Sequence, residues 1–240
     1  MVSALADLKY RALLVVLVPL GNASVGCGVD GRALEISALD VMQGECDIPA
    51  AVIRLEELGF DILPSNSDLT AAEVALLQVE GREYRLKNAL EAVAHQYAWV
   101  IIDCPPSLNM LTLNALTAAN SVLIPMQCEY YALEGLASLL ETIEQVRNSV
   151  NPGLEIEGLL RTMYDSRNNL SGAVSEQLIE HFGDRVYRTL VPRNVRVAEA
   201  PSHGLPVLRY DPRSRGAMAY LALAGEMLRR NRKRQARPAG

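Results

Sequence analysis

No apolar run in this chain is long enough to cross a bilayer: the longest, Ala12 to Leu20, has nine residues, against the ~20 that a helical span needs. The four cysteines, Cys27, Cys46, Cys104 and Cys128, include no C-x-x-C pair. That spacing fits neither a disulfide framework nor a zinc site and leaves ordinary reduced thiols. Lysine is scarce, and none of Lys9, Lys87 and Lys233 follows a glycine, so no G-K-[ST] element exists in the chain. A loop that cradles phosphates with backbone N–H groups and a lysine is therefore missing from these residues. No repeat, low-complexity tract or linker interrupts positions 1–230, which read as one domain followed by a basic, disordered tail over 231–240. The opening MVSALADLKYRALLVVLVPLGNASVG has the order of a secretory signal, but Asp7 inside its would-be basic region argues against export. A cytoplasmic location is the expectation.

What is present begins with Trp99 to Ser107, WVIIDCPPS, a buried-strand pattern that ends in one carboxylate and two prolines. A carboxylate in an apolar setting is costly unless a cation or donors meet it. In an open α/β sheet, ligands sit at the carboxyl ends of the strands. Asp103 is thus a candidate site residue, the alternative being an aspartate that only caps the turn. The charge is also uneven: Arg185 to Gly240 holds 13 Lys/Arg against 3 Asp/Glu, leaving a net −15 on residues 1–184. A basic face on an acidic protein points to a polyanion, because phosphate contacts release counterions whatever the base sequence.

Apolar runs of strand length alternate with segments of helical period. The strand candidates are 12–18, 60–64, 99–103, 121–126, 156–163 and 186–191; the helix candidates are 69–79, 84–97, 108–118, 131–150, 172–182 and 215–230. Alternation of this kind implies an α/β fold: a doubly wound, mostly parallel sheet with helices on both faces. Ser107 precedes Leu108, Leu111 and Leu116 and is placed to cap a helix. The positive end of that helix would then lie just beyond Asp103 and suit an anion, with Asp103 holding magnesium or water for a phosphate ligand.

WVIIDCPPSLNMLTLNAL resembles the Walker B segment of the ParA/Soj family of partition ATPases, a branch of the P-loop NTPases. The resemblance continues through PMQCEYYALEGLASLL, GLLRTMYDSRNNLS, HFGDRVYRTLVPRNVRVAEAPSHGLPVL and YDPRSRGAMAYL, from about Ala4 to about Arg230. It implies an adenine-nucleotide switch: ATP and magnesium bring two subunits face to face, the dimer coats DNA without sequence preference, and a ParB-type partner stimulates hydrolysis. By the same resemblance Asp103 is the magnesium-holding aspartate, with Pro105 beside it. Pro192, Arg193 and Asn194 correspond to the loop by the nucleotide base. Arg193, Arg196, Arg213 and Arg215 fall in the DNA-facing region, and Tyr130, Tyr131 and Glu134 border the nucleotide and dimer face.

Two departures stand out. The family opens with a strand and a Gly-rich loop of the type K-G-G-V-G-K-T-T, whereas SALADLKYR matches the end of its first helix. The absent strand is central in the family, so two neighbouring strands are expected to lack a partner on one side, as in a truncated or decayed copy. Where the family reads D-x-D-P-Q-G-N, this chain has valine at both acidic positions, Val16 and Val18. Losing a cation ligand and a water-positioning group removes several kcal/mol of transition-state stabilisation, each ~1.4 kcal/mol costing about tenfold in rate. Three readings follow: a partition ATPase with impaired nucleotide binding and hydrolysis, a nucleotide-independent DNA- and partner-binding module, or a non-functional remnant.

Overall fold

The computed structural model describes residues 1–236. Six strands, β1 (Ala12–Val16), β2 (Ile53–Leu55), β3 (Phe60–Leu63), β4 (Trp99–Asp103), β5 (Ser121–Gln127) and β6 (Glu155–Thr162), alternate with helices. The helices are α1 (Val2–Asp7), α2 (Asn22–Val25), α3 (Ala38–Gln43), α4 (Ile48–Ala51), α5 (Leu69–Ala75), α6 (Arg85–Glu91), α7 (Met110–Ala118), α8 (Ala132–Ser149), α9 (Asn169–Phe182), α10 (Val195–Glu199), α11 (Val207–Tyr210) and α12 (Arg215–Gln235). The α/β class and the helical covering of both faces agree with the sequence reading. The short β2, not foreseen, pairs antiparallel with β3 and makes the sheet mixed.

The strands form two groups: four in the order β2-β3-β1-β4, and the parallel pair β5-β6. Burial follows the two-residue period of a strand. Leu13 and Val15 enter a cluster with Val41, Leu69, Leu86 and Leu111, while Ala12, Leu14 and Val16 enter another with Leu5, Phe60, Leu208 and Ala224. Burying each such Val or Leu is worth ~1.5–3 kcal/mol, and with both faces covered β1 reads as an uninterrupted apolar run.

The candidate strand 186–191 does not form; among the described residues it leaves only isolated bridges, Leu159 with Val186 and Tyr164 with Pro192. The Tyr187 and Val191 N–H groups still donate to the Leu159 and Arg161 carbonyls of β6, both at 2.9 Å, but side chains take the groups between them. The Glu226 carboxylate accepts from the Arg188 and Thr189 N–H groups at 3.0 and 2.8 Å, and buried Arg161 donates to the Tyr187 and Arg188 carbonyls at 2.9 and 3.2 Å. Gly158 permits this closure, since a Cβ there would stand 2.6 Å from the Arg185 carbonyl oxygen.

The C-terminal boundary also differs. Residues 231–235 continue α12, where Arg234 pairs with buried Glu157 and Arg232 donates to the Tyr10 hydroxyl at 3.1 Å. The basic end of the chain is helical because its arginines find partners on the body; positions 237–240 lie outside the described residues.

Candidate functional site

Asp103 closes β4, and its ladder partner is Val16 at the end of β1. The Leu17 N–H donates to the Asp103 carbonyl at 2.7 Å, so the two strand ends are locked together. The Asp103 side chain is half-buried, and burial raises its carboxyl above the usual aspartate range. The same apolar setting pushes the neighbouring Cys104 thiol up to about 11, with the Asp103 charge adding to it. The Asp103 ladder partner Val16 is buried, and Val18 and Pro105, further along the two strand ends, are half-buried. Among the described residues no group of three or more His, Cys, Asp or Glu converges on a metal-sized site.

The helix after β4 begins later than its sequence pattern implies. Asn109, not Ser107, is the cap: its side chain accepts from the Thr112 N–H at 2.9 Å, and α7 starts at Met110. Ser107 instead offers its carbonyl to the Thr112 hydroxyl at 2.6 Å. Asn109 wins because its extended backbone aims the amide at the first turn, whereas Ser107 is still leaving the Pro105–Pro106 pair. The helix end therefore stands further along the chain from Asp103 than expected.

Beyond Val18 the chain turns through Gly21, at φ +59°, pressed so closely on Ser65 that a Cβ would lie 2.6 Å from its carbonyl oxygen. The Ser65 hydroxyl donates to the Val18 carbonyl at 2.7 Å. The two loops border an open groove of about 790 Å³, lined among others by Leu20, Asp30, Arg32, Asn66, Asp68 and Pro201. Sequence reasoning passed over this groove; its signal was the glycine spacing between Gly21 and Gly31.

Pro192, Arg193 and Asn194 lie past the end of the other sheet. The Arg193 N–H donates to the Tyr164 carbonyl at 3.0 Å just beyond β6, and Asn194 caps α10 by accepting from the Val197 N–H at 3.2 Å. The four arginines read as DNA-facing stand at the starts of two helices that touch. Arg193 and Arg196 flank the start of α10, while Arg213 and Arg215 flank the start of α12, and the two helices meet at Gly216. A Cβ on Gly216 would fall 2.3 Å from Cγ2 of Val197, so only glycine allows this approach. All four arginines are exposed. Arg196 also pairs with Glu199 at 2.9 Å and Asp211 at 3.4 Å, which steadies its guanidinium and tempers the patch. Gly216 was not singled out from the sequence, since a helical glycine is legible only once its neighbour is known. Tyr130 and Tyr131, which open α8, are 74% and 75% exposed and meet edge to face, so neither is the core residue such a pair commonly is.

Comparison with known proteins agrees with this architecture. A family model described as an AAA domain matches residues 1–156. The chain is 49% identical to the chromosome partitioning protein ParA of Caulobacter vibrioides over 99% of its own length and 90% of that protein. It is 48% identical to the sporulation initiation inhibitor protein Soj of Bacillus subtilis, covering 94% and 89% of the two chains. Among solved structures it resembles cobyrinic acid a,c-diamide synthase from Mycobacterium smegmatis with bound ADP and magnesium, at 37% identity and a TM-score of 0.84, over 100% of this chain and 90% of that one. Strand order, the carboxylate at the end of β4 and identity across nearly the whole length lead to one assignment: the chain belongs to the ParA/Soj family of partitioning P-loop ATPases.

Proposed function

We propose that this chain acts in DNA partitioning through its arginine face, holding DNA without sequence preference and without a nucleotide switch. What supports the reading is the junction of α10 and α12, where Gly216 packs on Val197 and Asn194 and the exposed Arg193, Arg196, Arg213 and Arg215 stand at the starts of the two helices. Each guanidinium can meet a phosphate, and such contacts carry no base information.

The family's ATP and magnesium do not fit the residues present. Asp103 has valine as its ladder partner, and Val16 and Val18 occupy the family's two acidic positions. The cation of a nucleoside triphosphate and the attacking water would lack those two carboxylates, so no step of phosphoryl transfer is assigned to this chain. A ParB-type protein and a second copy are the partners proposed from family membership, and the bacterial nucleoid in the cytoplasm is the proposed place of action.

The test is binding of the full chain to random-sequence duplex DNA, followed by anisotropy across a salt series with and without ATP and magnesium. Salt-sensitive binding that ATP leaves unchanged is expected. Replacing Arg213 by alanine should weaken binding to all sequences alike and lower the log–log salt slope by ~0.9. ATP-dependent binding would refute nucleotide independence, and binding insensitive to salt would refute the arginine face.

A further inference from the structure

α12 buries one side and presents the other to solvent. Leu223, Ala224 and Met227 lie in the core, and Gly216 meets α10. At about 3.6 residues per turn, Met218, Leu221, Ala222, Gly225, Arg229 and Arg232 all fall within about 60° of the side opposite Gly216. Met218 is 62% and Leu221 40% exposed, and Ala222, Arg229 and Arg232 are open to solvent as well. The middle of this outward side is apolar over about two turns. Its ends are basic, with Arg215 before the strip and Arg229, Arg232 and Lys233 after it.

No carboxylate on the helix balances these cations. The single acidic residue of α12, Glu226, is buried, where it accepts from the Arg188 and Thr189 N–H groups and pairs with Arg230 at 2.8 Å. A contiguous exposed apolar strip marks an interaction surface. Bounded by charge of one sign, its complement is an apolar strip bounded by carboxylates.

The strip also has a shape. Ala222 and Gly225 carry little side chain, and a Cβ on Gly225 would meet only the Arg229 guanidinium, at 3.5 Å. This leaves a shallow notch between Leu221 and the basic turns, where another helix can approach closely. A second copy of α12 does not suit it. Paired antiparallel about Ala222, Arg215 would face Arg229, and paired parallel each arginine would face its own counterpart. A bilayer suits it no better, since Ala222 and Gly225 have almost nothing to insert between lipids.

We propose that the outward face of α12 is a docking surface for a helix of a partner protein, apolar at three- and four-residue spacing and acidic at both ends. Met218 and Leu221 pack on the partner's apolar strip, and one of its large side chains fills the notch at Gly225. Its carboxylates meet Arg215 at one end and, at the other, Arg229 and Arg232, the latter already steadied by the Tyr10 hydroxyl at 3.1 Å. Because the inner side of α12 is fixed in the core, the platform is formed before the partner arrives. The surface does not rest on the DNA reading, and Arg215 alone is common to both, so the test uses charge-neutral substitutions.

The probe is the capped, fluorescein-labelled peptide Glu-Glu-Ala-Leu-Gln-Gln-Leu-Leu-Ala-Gln-Leu-Leu-Gln-Ala-Leu-Ala-Glu-Glu, titrated with the full chain and followed by anisotropy. Saturable binding that weakens as salt rises is expected. The double variant Met218→Gln, Leu221→Gln should bind the peptide at least ~10-fold more weakly, with helicity, Tm and DNA affinity unchanged. Leu77→Gln, at another exposed leucine, should bind as the parent chain does. The same peptide with lysine in place of its glutamates should not bind. Equal binding of the acidic and basic peptides, or equal binding by the double variant and the parent, overturns the proposal. Self-association that the double variant loses would give the face to a second copy, and capture on phosphatidylglycerol vesicles without peptide binding would give it to lipid; either result equally overturns it.

Discussion

Replacing Arg234 by alanine tests whether the basic end of the chain is a structural part of the fold or an expendable tail. Its guanidinium pairs with Glu157, whose side chain is 6% exposed, and also donates to the Glu157 carbonyl at 2.9 Å. The Tyr187 hydroxyl donates to the other carboxylate oxygen at 2.6 Å. Removing one partner of a fully buried pair costs ~3–5 kcal/mol. Here the Arg234 side chain is 37% exposed, so water screens the pair, and Tyr187 remains on the carboxylate; the expected loss falls to ~1.5–2.5 kcal/mol. For a chain of this size that is a fall of about 3–10 °C in Tm. Thermal and urea denaturation of Arg234→Ala should show it, with Lys233→Ala as the control, unchanged within ~0.5 kcal/mol. Equal behaviour of the two variants would refute the pairing and restore the picture of a solvated tail.

Gly216→Ala gains ~1 kcal/mol of helix propensity but forces a methyl onto Val197, an overpacking cost of ~1–3 kcal/mol; DNA affinity measured by anisotropy should fall, and a more stable variant with unchanged affinity would contradict the close approach. Asp103→Asn should stabilise the chain at neutral pH, because burial holds the native carboxyl above its unfolded value and the charged form is penalised. That advantage should shrink as pH falls through the raised native value and vanish below the ordinary aspartate range, as read from urea midpoints; a destabilised variant at pH 7 would mean that the carboxylate has a cationic partner. Asn114→Ala should cost ~2–3 kcal/mol in chemical denaturation, since this buried amide accepts from the Leu86 N–H at 3.1 Å and donates to the Arg82 and Met110 carbonyls at 2.9 and 3.0 Å, tying α6 to α7. A loss under ~0.5 kcal/mol would show that solvent or a neighbour replaces those bonds.

The segments with unbroken pattern were legible in the chain itself. β1 and β4 fall within a residue or two of their apolar runs, and α8 runs Ala132–Ser149 against an apolar stripe read over 131–150. Strand 186–191 was misread because its apolar pattern is real but the backbone groups of its middle are taken by Glu226 and Arg161, residues distant in sequence. The cap of α7 went to Asn109 rather than Ser107 because capping depends on backbone direction after the two prolines. In the candidate site, Asp103 and the arginines could be named from local sequence, whereas Gly216 and Glu157 could not.

Local chemistry in the sequence determined the α/β alternation, the carboxylate at the end of β4 and the basic bias of the C-terminal segment. These follow from residue type and short-range periodicity, which act within a few positions of each residue. Tertiary structure decided that the strands divide into two groups, that α12 packs on α10 at Gly216, and that the final turns of α12 dock on Glu157. Those outcomes depend on which backbone groups remain unpaired and which side chains meet across the fold, and both are fixed only when distant segments pack.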